Sequence, residues 1–149
     1  MKKRMLDINP DAVIDTHNCF YSKNNADDYD LSKYSYIIDA IDSVKSKLTL
    51  IERAISAKTP IISSMGAGNR LDGSMFEIGD IKDTINCPLA RIMRRELKKM
   101  GIANLKVVYS KELPAKRAEN GSTPGSAAFV TAAAGLLLAQ AVFLDIISH

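Results

Sequence analysis

Two cysteines, Cys19 and Cys87, are all that this 149-residue chain contains, and neither belongs to a C-x-x-C pair. That excludes the ligand spacing of a structural zinc site and any disulfide framework. Both thiols are expected to be buried side chains. Excess charge is also scarce: the net value of +3 falls well short of a dedicated nucleic-acid binder. The basic start Met1-Lys2-Lys3-Arg4 has no apolar run behind it, because Asp7 and Asn9 interrupt the residues after it. No secretory signal is therefore expected in these residues. The apolar stretch from Ala127 meets Gln140 and Asp145 and falls short of the uninterrupted run of about 20 residues that spans a bilayer. A buried helix in a cytoplasmic protein is the expectation. A complete G-x-G-x-x-G is missing as well, since Leu71 stands where the third glycine would follow Gly66 and Gly68. No helical pattern opens directly after this pair, which favours a turn over a phosphate loop.

What is present is the composition of one globular domain: 46% hydrophobic and 25% charged residues, enough for a real core. The chain is organised around Tyr36-Ile37-Ile38-Asp39-Ala40-Ile41-Asp42-Ser43. This stretch starts as a short apolar run, the pattern of a buried strand. Val44, Leu48, Ile51 and Ile55 then recur at helical spacing, and Ser43 or Asp42 is a natural N-cap. Two carboxylates thus sit where a buried strand hands over to a helix, the place where open parallel sheets bind ligands. Spacing alone leaves two readings of Asp42 open, a helix cap or a ligand-binding carboxylate.

The rest of the chain reads as alternating elements. Met1 to Ile8 is the end of a helix stopped near Pro10, and Ala12 to Phe20 suits a strand. Leu31 to Tyr34 leads into the central strand. Pro60 to Met65 is a second buried strand, Ser74 to Gly79 a short one, and Leu105 to Tyr109 a further one. Leu89 to Met100 is an amphipathic helix with Leu89, Ile92, Met93, Leu97 and Met100 on one face. Arg91, Arg94, Arg95, Lys98 and Lys99 crowd its other face, and Gly101 closes it. Those cations fit a solvated face or a phosphate-contacting surface equally in kind. Residues 114–125 read as a mobile loop. Residues 126–147 form an apolar helix, with a break near Gly135, buried in a core or a subunit interface.

Tyr36 to Ser43, the helix after it and Thr59-Pro60-Ile61-Ile62-Ser63 resemble the centre of the ThiF/MoeB/HesA family, adenylating enzymes related to ubiquitin-activating enzymes. The resemblance implies an α/β fold: the C-terminal part of a Rossmann-like adenylating domain, with a mixed sheet and flanking helices. It implies that Asp42, the second Asp of a D-x-x-D-s stretch, helps to hold magnesium and the phosphates of ATP, with Asp39 and Ser43 supporting the site. Hard oxygen ligands shared with phosphates suit magnesium. It also places the Gly66–Gly68 corner on the substrate side of the pocket, with Asn69 and Arg70 facing a ligand.

Pro88-Leu89-Ala90-Arg91-Ile92-Met93-Arg94-Arg95-Glu96-Leu97-Lys98-Lys99, Val107-Val108-Tyr109-Ser110-Lys111-Glu112 and Gly125-Ser126 are similar to one branch of the family, the tRNA threonylcarbamoyladenosine dehydratases. That branch adenylates a carboxylate on tRNA with ATP and magnesium, and ring closure then expels AMP. The basic helix would meet the tRNA. Relatives that activate ubiquitin-like or sulfur-carrier proteins are the alternative. A chain that only packs or dimerises through its C-terminal helix is a second alternative. Cys87, ahead of a helix and with no base spaced near it, is expected to be structural; His17 and His149 stand isolated. The family's glycine-rich loop, ribose-binding acid, and phosphate-contacting Arg and Lys have no counterpart in residues 1–149. The expectation is a partial domain that is inactive and association-prone alone, with a homodimer as its natural state.

Overall fold

The computed structural model describes residues 1–115 and 124–148; the expected loop over 114–125 and His149 lie largely or wholly outside them. Helix α1 (Lys2–Ile8) comes first and buries nothing. Strand β1 (Ile37–Asp39), helix α2 (Val44–Ser56) and strand β2 (Ile61–Ser64) form a β-α-β unit. Strand β3 (Phe76–Asp80), helix α3 (Pro88–Lys99), strand β4 (Lys106–Ser110) and helix α4 (Ala128–Ile147) come after it. The sheet runs β1-β2-β4-β3. β1, β2 and β4 are parallel, and β3 is antiparallel to β4. This is the mixed α/β sheet with flanking helices that the sequence implies.

Period-two alternation divides the sheet between two cores. Val107 and Tyr109 of β4 face α3 through Ala90, Met93 and Leu97. Ile62 and Val108 face α4 through Val130, Ala134, Leu138 and Ala141. A smaller cluster ties Ile37 to Leu50 and Ala54 of α2. Gly101, at φ 75°, ends α3 in the left-handed region that a side chain would strain.

Several elements differ from the sequence reading. Residues 11–20 form no strand: Val13 is 93% exposed, and among the described residues no neighbouring strand offers a ladder. β1 is short and lies at the edge of the sheet, not its centre, so Ile38 is 48% exposed on an uncovered face. Leu31–Lys33 and Gly73–Met75 are 3-10 turns held by Asp30 and Asp72, whose side chains accept from Ser32 N and Ser74 N. α2 buries Ser46, Lys47, Leu50, Ile51 and Ala54, a face rotated from the apolar stripe that ends at Ile55. α3 leaves Ile92 exposed. Cys19 is exposed, its Sγ 3.0 Å from Tyr29 Oη, whereas Cys87 is buried.

α4 runs unbroken through Gly135 and is half-buried, not enclosed. Phe129, Leu136, Phe143, Ile146 and Ile147 point outward at 54% exposure or more. By length and composition the helix could cross a membrane, yet its inner face packs on the sheet and Asp145 fastens its end. Asp145 accepts from Tyr36 Oη at 2.7 Å and from Lys106 Nζ at 2.6 Å.

Two phenols record this packing. Burial, then the hydrogen bond to Glu77, pushes Tyr109 up to about 12. Burial, then the bond to Asp145, holds Tyr36 well above an ordinary tyrosine. Both folded values exceed the unfolded one of about 10. The stability they contribute is therefore fully present below about pH 10 and, for Tyr109, lost as pH rises through about 12. Ultraviolet titration at about pH 11 should find both phenols still protonated in the folded chain and ionised once urea is added.

Candidate functional site

The carboxyl ends of β1 and β2 open into a cavity of about 670 Å³. Its walls are the turn Ala40–Asp42 after β1, the Ser64–Gly68 segment after β2, and Leu89 at the start of α3. Thr131, Ala134, Gly135 and Leu138 of α4 and the Pro124–Ser126 segment complete it. The sequence builds it from a familiar junction: a parallel strand ends, the chain turns, and a helix starts with its dipole directed back at the turn.

Asp42 lies on this turn and is exposed. Among the described residues it has no hydrogen bond and no ion pair, so its carboxylate is available to a ligand in the cavity. Ser43 is the N-cap of α2, accepting from Ser46 N at 3.5 Å. Capping therefore falls to Ser43, and the helix-cap reading of Asp42 is not realised.

Asp39 is wholly buried, and its carboxylate is already engaged. Oδ2 accepts from Lys47 Nζ at 2.9 Å and from Ser63 Oγ at 2.5 Å, and Oδ1 accepts from Ile41 N at 3.0 Å. Lys47 is equally buried. Burial pushes its ammonium below the ordinary lysine range, against the pull of Asp39 and, more weakly, of Asp42. Sequence reasoning missed Lys47 and Ser63. The available signal was a lysine three residues after Val44 and four before Ile51, inside the helical spacing of the apolar residues.

Asn69 and Arg70 are not brought to the cavity. Asn69, at φ 57°, brackets Gly125: its N–H donates to Gly125 O at 2.8 Å and its Oδ1 accepts from Gly125 N at 2.7 Å. Arg70 is buried and donates to Asn86 O at 2.7 Å. Glu112 accepts from Leu71 N and Asp72 N and closes the same loop from below. Gly68 has a steric reason to be glycine, because a Cβ there would meet Pro124 Cβ at 2.7 Å. The pair Gly66 and Gly68 is thus a packed turn that lines the cavity.

The basic helix is divided. Arg94 is half-buried and caps the turn before α3, donating to Thr84 O at 2.7 Å and to Thr84 Oγ1. Arg95 and Lys99 pair with Glu96. Arg91 and Lys98 are exposed and, among the described residues, carry no ion pair. Cys87 caps α3 with its sulfur, which accepts from Ala90 N at 3.4 Å, the structural role expected of it. His17 stacks edge-on against Tyr29. Among the described residues no cluster of three or more metal-ligating side chains occurs.

A parallel β-α-β core with its cavity at the carboxyl ends of the strands defines an open-sheet α/β protein of the nucleotide-crevice type. The chain belongs to the ThiF family, whose model matches residues 1–148. The tRNA threonylcarbamoyladenosine dehydratase of Bacillus subtilis is 32% identical over 163 positions, covering 99% of this chain and 64% of the relative. The Escherichia coli enzyme of the same name is 37% identical over 98 residues, 66% of this chain and 37% of the relative. The crystal structure of the E. coli dehydratase TcdA in complex with AMP superposes with a TM-score of 0.89 at 29% identity. That match covers 99% of this chain and 62% of the E. coli chain. TcdA in complex with ATP gives 0.87 over the same 62%. The chain therefore spans less than two thirds of the B. subtilis relative and of these solved structures.

Proposed function

We propose that this chain provides the metal-phosphate carboxylate and the substrate side of an ATP-dependent site that adenylates a carboxylate on tRNA, as part of a threonylcarbamoyladenosine dehydratase. The observation that carries the reading is Asp42, without a hydrogen bond or ion pair among the described residues, at the rim of a crevice in a fold that superposes on TcdA complexes with AMP and ATP. The cavity suits a nucleotide in size. It also suits it in chemistry, since the exposed carboxylate can share magnesium with phosphate oxygens. When bound, ATP would supply the adenylyl group: the carboxylate would take it at the α-phosphorus with loss of pyrophosphate, and the acyl-adenylate so formed would expel AMP on ring closure. The chain's own part is to orient: Asp42 holds the metal side, Ser43 caps α2, and Gly66 to Gly68 admit the substrate between β2 and α4. Asp39 supports the site from behind, through the turn.

tRNA approaches along α3. Leu89 at its start lines the cavity, and Arg91 and Lys98 are the cations on its exposed side least committed to protein carboxylates. Arg95 and Lys99, shared with Glu96, add to the field, and Arg94 holds the fold. The outward apolar face of α4 supports self-association, and a homodimer is the proposed assembly. Activation of a sulfur-carrier or ubiquitin-like protein is the second reading; the cationic α3 beside the cavity favours RNA.

The residues present contain no G-x-G-x-x-G, so most of the grip on ATP phosphates must come from elsewhere. The test is AMP release from ATP with threonylcarbamoyladenosine-bearing tRNA. The chain is assayed alone and with a polypeptide made from the stretch of the B. subtilis relative that it does not cover. AMP release is expected only from the mixture. Arg91→Glu with Lys98→Glu should weaken tRNA binding by about tenfold and flatten its salt dependence by about two phosphate contacts. Micromolar binding of Mg-ATP by the chain alone would overturn the need for a second polypeptide, and AMP release driven by a carrier protein and not by tRNA would overturn the tRNA assignment.

A further inference from the structure

We infer that Lys47 is a positioning residue: with Asp39 and Ser63 it staples the end of β1 to the first turn of α2 and so fixes the turn that presents Asp42. This inference rests on the reading of Asp42 as the metal-phosphate carboxylate and adds a residue to it. The Asp39 carboxylate oxygens accept three bonds, all internal: from Lys47 Nζ, Ser63 Oγ and Ile41 N–H. Ser63 is the registered partner of Asp39 across the sheet, and Lys47 N donates to Ser43 O at 2.9 Å. The stretch between Asp39 and Ser43 is thus tied at both ends and, through Ile41, in the middle.

A lysine is a poor choice here on other grounds. It lies in the first turn of a helix, where the dipole disfavours a cation, and burial disfavours its charge. Apolar side chains of the same length fill such sites as well or better. The staple accounts for the choice: the ammonium answers Asp39 Oδ2, which also accepts from Ser63 Oγ, while Oδ1 is left to the Ile41 N–H. Asp39 is then an anchor and not a metal ligand, which leaves Asp42 as the one carboxylate of the pair that reaches the crevice.

The test uses the full chain, amide hydrogen exchange and line broadening by Mn²⁺ alone. Asp42→Asn should abolish broadening at residues 40–43 and leave the Ile41 amide protected. Lys47→Met should speed Ile41 exchange and weaken Mn²⁺ binding, each by about tenfold or more, as losses of supporting bonds do. Asp39→Asn combined with Lys47→Met removes both charges but keeps an acceptor for Ile41 and a partner for Ser63. It should bring exchange and Mn²⁺ affinity back to within about threefold of the parent. Unchanged exchange and broadening in Lys47→Met would overturn the inference. So would a double variant that loses Mn²⁺ as fully as Asp42→Asn, since Asp39 would then be a ligand itself. If Lys47→Met fails to fold, the double variant still decides. If Mn²⁺ broadens nothing in the parent, the metal reading of Asp42 fails, while Ile41 exchange still judges the staple.

Discussion

Asp39→Ala is expected to destabilise the chain by about 3–5 kcal/mol, because among the described ion pairs it breaks the one with both side chains wholly buried. The substitution leaves Lys47 wholly buried with its ion-pair partner removed, and frees Ser63 Oγ and Ile41 N–H in the same stroke. A domain of this size carries about 5–15 kcal/mol in all, so much of the folded population is at stake. Urea unfolding followed by far-ultraviolet circular dichroism measures it, a suitable probe because the chain has no tryptophan. A loss under about 1 kcal/mol, the range of an exposed pair, would mean that the Lys47 ammonium reaches water in solution. The contrast with Arg53 and Asp27 is instructive: that pair has Asp27 at 90% side-chain exposure, and its loss should cost little.

Asp42→Asn is expected to do the reverse: stability within about 0.5 kcal/mol of the parent, and tRNA-dependent AMP release in the two-polypeptide assay lower by about a hundredfold or more. The side chain is exposed and makes no bond among the described residues, and its pull on the Lys47 ammonium is the weakest of those acting there, so little in the fold depends on its charge. An isosteric amide keeps the shape and removes the anion that a metal requires. Retention of most of the activity would move the metal site elsewhere in the crevice. Together the two aspartates separate cleanly, one tested by denaturant and the other by turnover.

The sequence was most informative where a pattern depends on neighbours in the chain. The β-α-β unit around Asp39 and Asp42, the Ser43 cap, the α3 amphipathicity and the Gly101 stop are local, set by spacing and capping chemistry, and each is present in the fold. What was illegible depends on contacts distant in sequence. Residues 11–20 alternate like a strand but have no ladder partner among the described residues. Asn69 and Arg70, polar residues in a glycine turn, look ligand-facing until Asn69 is seen to engage Gly125 and Arg70 to be buried with Nη2 on Asn86 O. The rotation of the buried face of α2 toward Lys47 reflects Asp39, eight residues away and across a turn. A buried lysine cannot be told from a solvated one without its counter-ion in view. The C-terminal helix shows the converse error: its apolar character is real, but only one side is covered.

That helix carries a single formal charge along its whole length, Asp145, and the charge is engaged by Tyr36 and Lys106. A carboxylate also resists entry into hydrocarbon, although Asp145 lies near the end of the helix and not at its middle. Neutralising this one side chain would both unfasten the helix from the sheet and lower its barrier to lipid. One side chain therefore separates a helix fastened to a sheet from a bare apolar rod.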